Sequence, residues 1–186
     1  MYPFVRLFKE FLTVGRKPLD PLGTHVSHHI CWPWDIDMFF ELNNGRSLTL
    51  YDLGRLPLAM RVGMAKALRQ QGWGLTMAGA SIRWRARIRP FQRFEMHSRA
   101  LGWDDKFFYL DQSMWLPDGR CASQALYRSA VTDSNGIVTP DRLMVAMGVS
   151  MDSPTLPDWV QAWITAEAER PWPPLSPATA STDRGT

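Results

Sequence analysis

Apolar residues follow two different periods in the first half of the chain. From Thr24 to Trp34 every second position contrasts with more polar neighbours, which predicts a strand. From about Gly45 to Gln71 apolar residues recur about once per helical turn, which predicts a long helix that stops at Gly72. Gly54 would let another element approach this helix closely, and Pro57 is expected to kink or divide it.

Four further segments show the alternation of strands and are separated by turn residues. They are Gly79–Arg89, Arg93–Gly102, Lys106–Leu116 and Arg120–Asp133. In the first of them Ile82, Trp84, Ala86 and Ile88 share one face, and Arg83, Arg85, Arg87 and Arg89 share the other. The tripeptide Ser134-Asn135-Gly136 is expected to end the sheet.

Short helices are predicted at both ends of this pattern. Thr139, Pro140 and Gly148 mark the cap, start and stop of one helix, and a second runs from Pro157 to about Glu169. Apolar residues at helical spacing also predict a terminal helix near the N-terminus. We therefore expect an N-terminal helical segment over residues 1–23, one domain over residues 24–170, and a disordered tail over residues 171–186.

The order of these elements predicts the fold class. One strand is followed by a long helix and then by consecutive antiparallel strands, and the helix is the obvious cover for the apolar face of the sheet. The sequence therefore predicts an α+β hotdog fold, in which a curled antiparallel sheet wraps around a central helix.

Composition narrows the possible functions. The chain has 186 residues, of which 45% are hydrophobic and 21% are charged, as in a globular protein. A net charge of +3, with no basic cluster beyond the arginine stripe, argues against nucleic acid as a partner. Nine Trp and nine Phe indicate a large aromatic core or an apolar surface for a partner or ligand.

Two cysteines, Cys31 and Cys121, lie far apart, which argues against a disulfide framework or a zinc site and favours a reduced, cytoplasmic location. No cofactor or metal is expected. The charged residues near the N-terminus argue against a secretory signal and a membrane span. A helix packed on its own protein is preferred there to one lying on a membrane surface.

Three short stretches resemble the 4-hydroxybenzoyl-CoA thioesterase-like family. Residues 34–46 are similar to its D-x-x-G-H-V-N-N-x-R-Y pattern, with Asp37, Asn43, Asn44 and Arg46 at the Asp, Asn-Asn and Arg positions. Residues 89–95 look like a strand exit of these proteins. Residues 101–110 resemble a hairpin of the subgroup that contains the thioesterase-superfamily-member-6-like proteins. The resemblance implies a hotdog fold, dimerisation, and hydrolysis of an acyl-CoA thioester.

The resemblance also implies a site at the start of the central helix. A thioesterase needs a carboxylate that attacks the carbonyl or activates water, and positive dipoles that stabilise the oxyanion. Asp37 takes the first role, with the neighbouring Asp35 as its competitor. Glu41 is a second base or a replacement for the His that the family usually has there. The helix opening at Asn43, Asn44 and Gly45 takes the second role. From spacing alone Asp37 would be a turn carboxylate, and Asn43 and Asn44 would be helix caps.

Substrate contacts are predicted from charge and aromatic character. Arg83 and Arg85 would engage the phosphates of CoA, although a solvated strand face is the simpler explanation for such a stripe. Arg46 lies in the first helical turn, where the helix dipole disfavours a cation. It therefore needs a partner, either a turn carboxylate or a ligand phosphate. Trp84 and Phe39 would line an acyl pocket or fill the core.

Two functions therefore compete. The first is an acyl-CoA or acyl-carrier thioesterase that works as a homodimer or a larger symmetric oligomer. The second is a non-catalytic hotdog dimer that binds acyl chains or a partner, which the replacement of the family's His by Glu41 favours. Association with a membrane is not expected in either case.

Overall fold

The first half of the chain is mainly helical in the computed structural model, which describes residues 2–14 and 17–174. The elements are α1 (Phe4–Val14), β1 (His25–Ile30), a single 3-10 turn (Pro33–Asp35), α2 (Asn44–Arg61) and α3 (Met64–Gln71). The predicted tail lies outside the described residues from position 175 onward. Within the described part of the chain, no helix is both long and apolar enough to cross a membrane.

The second half supplies most of an antiparallel sheet. Its strands are β2 (Gly74–Trp84), β3 (Arg93–Trp103), β4 (Phe108–Trp115), β5 (Cys121–Asp133) and β6 (Gly136–Val138). The strand order is β1-β3-β4-β5-β2, and β6 pairs with β5. Helix α4 (Pro140–Met147) follows with the predicted cap, start and stop, Thr139, Pro140 and Gly148. Residues 155–174 belong to a separate compact unit, in which α5 spans Asp158–Glu169.

Helix α2 packs against the face of the sheet formed by β3 and β4. Leu50, Tyr51 and Leu53 are fully buried. A side chain at Gly54 would overlap with Ser98 on β3, so the absence of one allows the close approach that the sequence predicts. This arrangement confirms the α+β hotdog fold, with a curled sheet around a central helix.

Three predicted boundaries are wrong. Helix α2 continues through Pro57 and ends where Gly63 adopts a left-handed φ of 85°, so the glycine and not the proline divides the helix. Strand β2 runs from Gly74 to Trp84 and not from Gly79 to Arg89, so three of the four stripe arginines follow the strand. The sheet does not stop at residues 134–136, because β6 begins at Gly136.

Candidate active site

A tight turn between β1 and α2 carries the residues that the family pattern singles out. Ile36 and Leu42 form an isolated antiparallel bridge across it. The N–H of Asp37 donates to the carbonyl of Glu41 at 2.9 Å, and the N–H of Phe40 donates to the carbonyl of Asp37 at 3.1 Å. Phe40 has a φ of 57°, which is the left-handed conformation that favours glycine. The turn is therefore narrow and defined by its own hydrogen bonds.

The side chain of Asp35 holds this turn in place through buried hydrogen bonds. Its carboxylate is completely buried and accepts hydrogen bonds from Arg6 Nη1 at 2.6 Å and from Arg46 Nε at 2.7 Å. The backbone N–H of Trp32 donates to the same carboxylate at 3.1 Å. A buried carboxylate needs such compensation, and here two cations supply it. The geometry gives Asp35 a structural task.

Asp37 faces outward by comparison. Its Oδ1 accepts from the N–H of Phe39 at 2.8 Å, while its Oδ2 accepts no hydrogen bond from the residues that the structure describes. The side chain is partly exposed and free of an ion pair within the described chain. One oxygen therefore orients the carboxylate, and the other can reach a water molecule or an electrophile.

The start of α2 presents free backbone donors. Asn43 caps the helix, with its Oδ1 accepting from the N–H of Arg46 at 2.9 Å. The N–H of Ser47 donates to the carbonyl of Asn43 at 2.8 Å. Among the described residues, none accepts from the N–H of Asn44 or Gly45. These two groups and the positive end of the helix dipole favour negative charge at this point.

Glu41 contributes to a small cavity beside the helix start. The cavity has a volume of about 190 Å³, and its lining includes Glu41, Asn44, Trp84, Arg85 and Arg87. The Nε of Arg87 lies 2.7 Å from Oε2 of Glu41, an ion pair that lacks the alignment of a hydrogen bond. The cavity therefore combines one carboxylate with two arginines and an indole ring.

The remaining predicted residues lie around this cavity or apart from it. Of the two partners considered for Arg46, the turn carboxylate, Asp35, is the one observed. Gly45 and Arg46 line a second, open groove of about 450 Å³, which shares no lining residue with the first cavity. Phe39 is 70% exposed on the outside of the turn. Arg83 and Asp37 line neither space.

Two residues that support the site escaped the sequence analysis. Arg6 reaches Asp35 from α1, and no pattern in the sequence links positions so far apart. Ser47 accepts from the indole N–H of Trp84 at 3.1 Å and donates to the carbonyl of Asn44 at 2.6 Å. The signal in the sequence is the helical spacing of Ser47 with Leu50 and Tyr51, which puts it on the apolar face of the helix. The structure buries it there.

The sequence of the chain resembles those of known proteins. A sequence model of the thioesterase-like superfamily matches residues 31–164. The protein THEM6 of Xenopus laevis is 33% identical over 147 residues, covering 78% of this chain and 69% of that protein. The protein THEM6 of Drosophila melanogaster is 25% identical, covering 77% of this chain and 73% of the relative.

Solved structures share the fold at low identity. The probable thioesterase YbaW from Escherichia coli superimposes with a TM-score of 0.62 at 15% identity, covering 66% of this chain and 96% of that one. The DHNA-CoA thioesterase from Staphylococcus aureus gives a TM-score of 0.58 at 13% identity, covering 78% of this chain and 91% of that one. The shared feature is the curled sheet around a single helix.

Proposed function

The chain belongs to the thioesterase-like superfamily, and from this membership we propose that it hydrolyses an acyl thioester of CoA or of a carrier protein to a free acid and a thiol. The observation that carries the proposal is the helix start. A partly exposed carboxylate, Asp37, precedes two backbone N–H groups, of Asn44 and Gly45, that have no acceptor among the described residues.

In this mechanism the N–H groups of Asn44 and Gly45 hold the thioester carbonyl oxygen, where negative charge develops in the transition state. Asp37 acts as nucleophile or base. As nucleophile it attacks the carbonyl carbon, the C–S bond breaks, and water hydrolyses the resulting anhydride. As base it takes a proton from water, which attacks directly, and the thiolate leaves in both cases.

The end of β2, next to the cavity beside the helix start, suggests where the rest of the substrate lies. Arg83 and Arg85 are exposed at the end of β2 and just beyond it, and they would contact the phosphates of CoA. Trp84 is 43% exposed at the same end, and Phe39 projects from the turn, so both offer apolar contacts to the acyl or pantetheine part. Arg46 serves the site by holding Asp35.

The test is the Asp37→Asn variant assayed for thiol release over a panel of acyl-CoAs. Asparagine keeps the shape and removes the charge, so kcat should fall by about a hundredfold or more while KM changes little. The matched control is Asp118→Asn, which neutralises an exposed carboxylate in the β4–β5 turn and should leave kcat unchanged. Parental activity in Asp37→Asn, together with loss of activity in Glu41→Gln, would move the catalytic role to Glu41.

A second candidate function is a non-catalytic acyl-binding dimer. The observation that favours it is the ion pair between Glu41 and Arg87, because Arg87 already engages the carboxylate that would act as the second base. Binding of a non-hydrolysable acyl-CoA analogue, with no thiol release from any acyl-CoA, would support this alternative against the thioesterase.

Either function is proposed to work as a homodimer. Strand β2 ends the sheet path, and none of its eleven residues is buried. Leu75 and Met77 are exposed on it at 42% and 38%, although both are apolar. Two copies that pair antiparallel through β2 would satisfy its open edge and cover these side chains.

Light scattering at micromolar concentration should give twice the mass of one chain. The Ser81→Asp variant puts a like charge on the pairing strand of each copy and should release monomers. A monomer in the parent protein contradicts the dimer. We also propose a reducing, cytoplasmic compartment, because Cys31 and Cys121 are both free thiols.

A further inference from the structure

An apolar cavity lies at the far end of α2 from the candidate catalytic turn. It has a volume of about 290 Å³ between the second half of α2, the sheet and α4. Its lining includes Leu56, Ala59, Met77, Trp103, Phe108 and Met144. Methionine side chains are flexible and adapt to ligands of varied shape, and aromatic walls add large contact areas. The lining is therefore that of a ligand pocket more than of a packing defect.

Two charged side chains, Asp52 and Arg55, line this otherwise mostly apolar space. Arg55 lines the cavity, forms an ion pair with Asp52, and lies with its guanidinium carbon 4.6 Å from the ring centroid of Tyr127. Its Nη1 is buried and has no hydrogen-bond partner in the described part of the chain. The Tyr127 hydroxyl is close but not aligned to receive it. A buried donor without an acceptor is costly, so a ligand oxygen would be strongly favoured there.

The ion pair between Asp52 and Arg55 restricts the head group that a ligand of this cavity can carry. Asp52 already neutralises Arg55, so the unused Nη1 needs one acceptor oxygen and not necessarily an anion. A carbonyl or carboxyl oxygen meets this requirement, whereas a cationic head group would meet a donor. Apart from Asp52, Arg55 and Ser129, the lining of the cavity is apolar and accepts a hydrocarbon chain.

The volume restricts the length of that chain. An apolar cavity of about 150 Å³ is known to hold a benzene-sized molecule, so one of about 290 Å³ has room for roughly ten carbons. Longer chains would protrude, and much shorter ones would leave empty space. Eleven residues of helix separate Asn44 from Arg55, which is about 16 Å, so this cavity is distinct from the catalytic turn of the same protomer.

From these observations we propose that the cavity behind α2 is a binding site for a medium-length aliphatic chain whose carbonyl or carboxyl oxygen accepts a hydrogen bond from Arg55. The site is independent of Asp37 and of turnover. It would bind a free fatty acid or its neutral ester in a protein that hydrolyses nothing.

The experiment is isothermal calorimetry on the full chain with ligands below their micellar concentrations. Decanoate and methyl decanoate should bind saturably with one site per protomer. Butyrate and hexadecanoate should bind at least about tenfold more weakly, and decyltrimethylammonium, which lacks an acceptor, should not compete. If methyl decanoate binds and decanoate does not, the ligand carries a neutral carbonyl. Absence of saturable binding for both overturns the proposal.

Variants locate the ligand. Ala59→Phe fills the cavity from α2 and should weaken decanoate binding at least about tenfold. The double variant Asp52→Asn, Arg55→Met removes both charges together and should weaken it about fivefold or more. Its matched control is Asp118→Asn, Arg120→Met, an exposed pair outside the cavity lining, which should bind as the parent does.

If both cavity variants keep the circular dichroism spectrum of the parent and bind decanoate with parental affinity, the ligand lies elsewhere and the proposal is wrong. Asp37→Asn separates this site from the proposed activity, because it should bind decanoate as the parent does. A protein that binds decanoate but releases no thiol from any acyl-CoA refutes the thioesterase and supports the cavity site.

Discussion

The two ends of α2 lie in opposite chemical environments, one polar and one apolar. At the N-terminal end, the buried Asp35 is held by Arg6 and Arg46, and the turn above it is fixed by hydrogen bonds. At the C-terminal end, apolar side chains surround an open volume of about 290 Å³ with one unused donor, on Arg55. One helix therefore joins a rigid polar region to an adaptable apolar region.

The difference shows how position along a helix decides its chemistry. Unpaired N–H groups and the helix dipole make the first turn suitable for negative charge, whatever side chains follow. The later turns have satisfied backbones and offer only their side chains, so their character depends on apolar residues such as Leu56 and Ala59. Perturbing each end should therefore give effects of different size and kind.

The largest effect should come from Asp35→Ala at the polar end. The substitution leaves Arg6 and Arg46 half-buried without their carboxylate, which should lower the free energy of unfolding by about 3–5 kcal/mol. Urea denaturation measures this loss. The exposed Asp118–Arg120 pair is the comparison, and Asp118→Ala should leave the urea midpoint unchanged. Equal effects in both variants would show that the buried cluster is not special.

Gly54→Ala tests the boundary between the two ends. A methyl group there would overlap with Ser98 and press on Met96 and Gln112, which should cost about 1–3 kcal/mol of stability. Adding Ser98→Gly removes the closest obstacle and should recover part of the loss. The measurement is the urea midpoint of the single and double variants. If the double variant loses more stability than the two single variants lose together, α2 shifts as a unit.

The most gradual effect concerns pH at the polar end, where His29 packs beneath α1. Burial, with Arg6 and Lys9, lowers the pKa of His29 to about 3. Because its folded pKa lies below the unfolded value, the unfolded state takes up the proton first as the pH falls from 6.5. Stability should therefore fall by up to about 1.4 kcal/mol per pH unit between pH 6.5 and 4.

In the His29→Gln variant the part of this slope that His29 contributes should disappear, while His25, whose pKa burial lowers to about 4, still contributes. The nearby Glu10 has a pKa raised by burial, so its contribution has the opposite sign and is lost as the pH rises through its folded pKa. Glu10 is present in both proteins, and the difference between their stability profiles isolates His29. Parallel profiles from pH 6.5 to 4 would contradict the prediction.

Much of the fold could be predicted because local patterns determine it. The alternation in β3, β4 and β5 and the caps of α4 appear in the sequence, and they match the structure to within a few residues. The shift of β2 could not be predicted in the same way. The alternating arginines extend the strand pattern past Trp84, but the N–H groups of Arg85 and Ala86 both donate to Ala122 and the ladder ends.

The candidate site divides along similar lines. The cap at Asn43 and the turn around Asp37 follow from short-range spacing, and the resemblance supplied the chemistry expected of them. One of the two arginines that bind Asp35 is Arg6, which reaches it from a separate helix. Sequence spacing carries no information about that contact. The apolar cavity behind α2 is likewise a property of three-dimensional packing and has no linear motif.

The strand order also sets an order of assembly. Strands β3, β4 and β5 are consecutive hairpins, so they can pair soon after the chain begins to collapse. Strand β1 pairs with β3 later, because α2, α3 and β2 lie between the two strands in the chain and form a long loop that must close first. The turn at Asp37 lies between β1 and α2 and is completed by that late step. During refolding the sheet should therefore regain its circular dichroism before the protein regains any function that depends on Asp37.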